Sequence, residues 1–161
     1  MTTPERLPDI SAIIRGVLER VEPRLHPLFI AIAERLAAER YRSWARDASG
    51  TTRSGLLACA EREDAIAERI AALYPDAAAV QATLRADHPE LDEMGDAIFA
   101  GRPLPQQFAI QAAGERAGAG AWRLFAAQAP NDAARRTLLA CAELEEASAV
   151  YLESLLAGGD R

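Results

Sequence analysis

Four glutamates stand where their neighbours predict an apolar helix face. Residues three, four and seven apart share one side of a helix. Around Glu34 those neighbours are Pro27, Ile30, Ala37, Ala38 and Tyr41; around Glu115 they are Phe108, Gln111, Ala112, Gly118, Ala119 and Trp122. Glu63 shares its side with Leu56, Cys59, Ala60, Ile66, Ala67 and Ile70, and Glu145 with Leu138, Cys141, Ala142, Ser148, Ala149 and Leu152. A carboxylate taken out of water is costly unless something compensates it. The compensation is a cation, a proton that raises the group's pKa, or donors such as Tyr41 and Trp122. A second register competes. It places Glu61 with Asp64, and Glu143 with Glu146, toward the interior, on faces that carry more charge and fewer apolar neighbours. The spacing favours Glu63 and Glu145 and leaves the other register open.

Such convergence needs long helices, and the chain supplies them. Ala, Leu, Glu and Arg dominate, and their summed propensity predicts an all-α domain over residues 1–161, with a flexible polar lead over 1–8. A short N-terminal helix is expected over 9–21. A first long helix follows from Pro23 to about Arg46, with prolines in its first turns only. The run Asp47 to Thr51 is a turn, with Ser49 or Thr51 as N-cap of a second long helix ending near Tyr74, where Pro75 stops it. Residues 76–104 hold one or two short helices, broken at His88-Pro89, Gly101 and Pro103. A third long helix covers 105–129, Pro130-Asn131-Asp132 turns the chain, and a fourth runs to about Leu156. Two helical hairpins joined by a long crossover describe a four-helix bundle with one crossover connection.

The hairpins also repeat one another. Leu56-Leu57-Ala58-Cys59-Ala60-Glu61 recurs letter for letter as Leu138-Leu139-Ala140-Cys141-Ala142-Glu143. The match continues through Glu63 and Glu145, Ala65 and Ala147, Ala67 and Ala149. Upstream, Glu34-Arg35 pairs with Glu115-Arg116, Tyr41-Arg42 with Trp122-Arg123, and Trp44-Ala45 with Phe125-Ala126. Two such copies pack most simply about a pseudo-twofold axis that brings the four glutamates to one level.

These residues resemble the ferritin-like proteins of the rubrerythrin kind over roughly 23–157. That family carries a glutamate on its first and third bundle helices, followed seven residues later by an aromatic, as Glu34 is by Tyr41 and Glu115 by Trp122. Its second and fourth helices carry Glu-x-x-His, often within Ala-Glu-x-Glu-x-x-His-Ala. The counterparts here are Ala60-Glu61-Arg62-Glu63-Asp64-Ala65-Ile66-Ala67 and Ala142-Glu143-Leu144-Glu145-Glu146-Ala147-Ser148-Ala149. Both histidines are replaced, by Ile66 and Ser148, or in the other register by the carboxylates of Asp64 and Glu146. The resemblance implies at most two metal ions, with Glu34 and Glu115 as terminal ligands and Glu63 and Glu145 bridging. Four carboxylates balance two divalent cations; the six of the other register leave an excess of two negative charges. Oxygen ligands alone select hard ions, so iron or manganese fits better than copper or zinc. Redox chemistry is one outcome. The other is a non-catalytic scaffold or interaction protein that has lost the metal centre.

The remaining features exclude more than they assign. A net charge of −6 disfavours binding to a nucleic-acid backbone, and no run reaches the ~20 apolar residues of a membrane span. No signal peptide is evident, and two cysteines, Cys59 and Cys141, are too few for a disulfide framework, so a cytoplasmic setting is expected. His26 and His88 read as capping or surface residues. Apolar residues on more than one side of the second and fourth long helices, among them Leu57, Leu73, Leu139, Leu144, Val150 and Leu155, predict a homodimer.

Overall fold

The computed structural model describes residues 6–159, and residues 1–5 of the expected flexible lead lie outside them. Leu7, in that lead, packs onto the core. The described chain is helical, without a strand. Helix α1 (Ile10–Leu18) is capped by the Asp9 carboxylate, which accepts from the Ala12 amide at 3.2 Å. It ends earlier than expected, and a turn carries the chain to a 3-10 segment, Pro23–Leu25, before α2 (His26–Asp47). The His26 ring acts locally, its Nε2 lying 2.8 Å from the Val21 carbonyl and tying that turn to the start of α2.

Helix α3 (Gly50–Ala71) begins after Ser49, whose carbonyl accepts from Arg53; Gly50 takes φ +56, a conformation that favours glycine. The crossover forms α4 (Ala77–Asp87) and α5 (Glu90–Phe99). Helix α6 (Leu104–Ala127) and helix α7 (Asp132–Gly158) follow, the second capped by the Asn131 side chain at 2.8 Å from the Ala134 amide. His88 is the C-cap residue of α4, its amide donating to the Leu84 carbonyl at 3.0 Å, and its ring is buried against Phe29, which meets the capping role expected for it and corrects the surface one.

The α2–α3 hairpin packs against the α6–α7 hairpin chiefly through α3 and α7. Helices α2 and α6 stand further apart, with α1 in contact with both and α5 against α2. Burial follows the sequence repeat position by position. Leu56 and Leu138, Cys59 and Cys141, Ala60 and Ala142, and Ala67 and Ala149 are all buried, whereas Leu57 and Leu139 are partly exposed. One apolar cluster gathers around Tyr41, Trp44, Leu56, Cys59 and Phe108, and another around Ile30, Ile66, Ile70, Trp122 and Cys141. A third, with Val17, Phe29, Ile32, Leu84 and Leu91, seats α1 and the crossover on α2. No helix among the described residues is long and apolar enough to cross a membrane.

Candidate metal centre

Each long helix contributes one buried carboxylate: Glu34 from α2, Glu63 from α3, Glu115 from α6 and Glu145 from α7. Glu61 and Glu143 are exposed, so the favoured register is the one the helices adopt. Asp64 and Glu146, the other members of the competing register, face outward and pair with arginines of the adjacent helix. Arg42 of α2 holds Asp64, and Arg123 of α6 holds Glu146 at 2.6 Å. These two ion pairs occupy equivalent places in the two hairpins. The repeat therefore extends to the clamps on its outer side.

Inside, one oxygen from each of Glu34, Glu63 and Glu145 lies within 4.8 Å of the others. Glu34 is within hydrogen-bonding reach of Glu63 and Glu145, and Glu145 of Glu115, whenever one carboxyl of the pair carries a proton. The donors from other residue types are few. Tyr41 donates to Glu115 Oε1 at 2.6 Å, and Gln111 donates to the same oxygen at 2.8 Å. Trp122 donates to Glu145 Oε1 at 2.8 Å, and Ser148 to Glu63 Oε1 at 3.0 Å. Glu63 Oε2 and Glu115 Oε2 are buried with no donor against them.

Crowding of like charge in a dry interior shows in the protonation equilibria. Burial, then the charge of Glu115, pushes Glu34 up to about 7. Burial and the neighbouring carboxylates hold Glu63 and Glu145 well above the usual carboxylate range. Burial likewise lifts the Tyr41 hydroxyl, so it stays a donor.

The two halves are not equivalent at the site. Tyr41 crosses from α2 to the glutamate of α6, but its counterpart Trp122 turns to Glu145 on the adjacent α7. Gly118 permits this, because a Cβ there would lie 2.6 Å from Glu145 Oε1. At the two positions where the resemblance would place histidine, Ile66 adds only apolar bulk, while Ser148 donates to Glu63.

Sequence reasoning passed over Arg40. It lies six residues after Glu34, off the stripe used to choose inward residues. Its guanidinium donates to Gln111 Oε1 at 2.7 Å and sits 3.9 Å from the Phe99 ring centre on α5. Gln111 in turn donates to Glu115, so a single amide relays Arg40 to the cluster. Burial lowers the Arg40 pKa to about 10, well within the range where it stays charged at neutral pH. The nearby run of small residues on α6 was the available signal that space existed beside α2.

That space is a cavity of about 690 Å³ between α1, α2, α5 and α6. Its walls are largely apolar, and Glu34, Glu115 and Glu145 are among the residues lining it, whereas the fully buried Glu63 is not. Comparison of the chain with models of known families, with curated proteins and with solved structures brings no match.

Proposed function

We propose that this chain is a ferritin-like carboxylate bundle that holds a hard divalent cation, iron or manganese, at Glu34, Glu63, Glu115 and Glu145. The observation that carries the reading is the pair of buried oxygens, Glu63 Oε2 and Glu115 Oε2, that no donor meets. A buried acceptor left without a partner is costly, and a cation is the partner that oxygens of four helices can share. The donor set fits. It is all oxygen, and the three mutually close carboxylates can surround one ion, with Glu115 beside them for a second or for charge balance. Terminal ligation by Glu34 and Glu115 and bridging by Glu63 and Glu145 is the arrangement that the resemblance implies.

A metal-free scaffold is the second reading. Tyr41, Gln111, Trp122 and Ser148 favour it, since together they already satisfy one oxygen on three of the four carboxylates. Protons shared between the carboxyls would complete that state.

Stability separates the two. A cation at a free concentration about a hundredfold above its Kd stabilises the fold by about 2.7 kcal/mol. In a domain of this size that raises the melting temperature by roughly 5–10 °C. Manganese or ferrous iron is expected to produce this shift, a chelator to reverse it, and the double change Glu34→Gln, Glu115→Gln to abolish it. A melting temperature indifferent to manganese, ferrous iron and calcium would leave the scaffold reading. In either case the exposed leucines of α3 and α7 favour self-association as a homodimer.

A further inference from the structure

We infer that the cavity beside the carboxylates is a binding site for an apolar organic amine, its ammonium end against Glu34 and Glu115 and its body between α2 and α6. Three observations meet there. First, the volume has a structural cause: α2 and α6 line it with Ala33, Ala37, Gly114 and Ala121, too short to fill the gap. Side-chain interiors normally pack with few voids larger than a water molecule, whereas about 690 Å³ falls in the range of small-molecule sites. Second, the walls are apolar, with Ile14, Leu18, Ile98 and Phe99 among them. Third, acidic side chains line the cavity: Glu34, the most exposed of the four carboxylates at 8%, and Glu115, whose Oε2 has no donor. Arg40 also lines the cavity and feels the charge of Glu115 and Glu34, but its guanidinium is held by Gln111 and Phe99, leaving the ammonium position open. An end group that donates hydrogen bonds and carries positive charge complements these carboxylates better than a carboxylate end group does. The cavity and the carboxylates lining it suffice for such a ligand, whether or not a metal ion also binds.

Calorimetric titration of the full chain at neutral pH tests this with three probes of one skeleton: 1-naphthylmethylamine, 1-naphthylmethanol and 1-naphthoic acid. The amine is expected to bind at least tenfold tighter than the alcohol, and the acid not to bind. Gly114→Leu combined with Ala121→Phe fills the cavity and is expected to retain helical circular dichroism while losing at least tenfold in amine affinity. Glu115→Gln is expected to shrink the preference for amine over alcohol. Binding of acid and amine with equal affinity, unchanged amine binding in the folded filled variant, or no binding by any probe would each overturn the inference. Manganese added during the amine titration tells the two proposals apart. Competition supports both, whereas amine binding that manganese leaves untouched, in a chain manganese does not stabilise, upholds this inference and removes the metal reading.

Discussion

Glu34 holds its proton up to about 7, while an unfolded chain releases it near 4.5. The folded state therefore binds more protons between those values, and stability falls as pH rises through that window. The contribution is fully present below about 4.5 and is lost as pH passes about 7. The gap between the two values corresponds to on the order of 3 kcal/mol, and Glu63 and Glu145 act in the same direction. Chelated protein is expected to melt at lower temperature at pH 8 than at pH 5, and Glu34→Gln to flatten that slope; thermal unfolding across pH checks both. With a bound cation the trend reverses, since the ion needs deprotonated oxygens. The inward placement of these glutamates was legible because each has uncharged neighbours at helical spacing. The donors were legible only in part. Tyr41 and Trp122 could be named as donors from their spacing, but which carboxylate each meets depends on interhelix distances that no single helix encodes.

At the scale of elements, α3 and α7 make the close contact between hairpins, and Gly55 of α3 sits against Tyr151 of α7. A Cβ there would lie 2.1 Å from the Tyr151 ring, whose hydroxyl donates to the Thr52 carbonyl at 3.2 Å. An aromatic ring fixed at both ends cannot step aside cheaply. Gly55→Ala is expected to destabilise the fold by about 1–3 kcal/mol despite the better helix propensity of alanine, measured by denaturant unfolding. The long helices and their turns were readable from prolines, caps and the repeat. The crossover was readable as one or two short helices broken at His88-Pro89, and α4 and α5 follow that reading. Its packing was not readable, because α5 finds its seat through Phe99 against Trp44 and Arg40, partners more than fifty residues upstream. Arg40 was missed for the same reason: what buries it is α5 and α6, not its own helix. The cavity likewise depends on what α2 and α6 fail to fill between them.

For the molecule as a whole, Leu57, Leu124, Leu139 and Val150 remain exposed, with Leu124 at 69% on the rim of the cavity. Scattered apolar residues are ordinary on a monomer, so only their joint burial distinguishes an interface. Light scattering at tens of micromolar is expected to give the mass of two chains, 17.3 kDa each, and Leu57→Glu with Leu139→Glu to reduce it to one. The division of the carboxylates between hairpins also bears on how the chain folds. Glu34 and Glu63 belong to α2–α3, Glu115 and Glu145 to α6–α7, and each hairpin closes through a connection of only a few residues. Local contacts of that kind form early. The carboxylates of opposite hairpins meet only when the two units dock, so their mutual repulsion opposes a late step. Relieving it with Glu34→Gln in chelated protein should then slow unfolding while leaving refolding almost unchanged, a split that stopped-flow kinetics resolves. The four buried carboxylates thereby lie on the seam between the two hairpins.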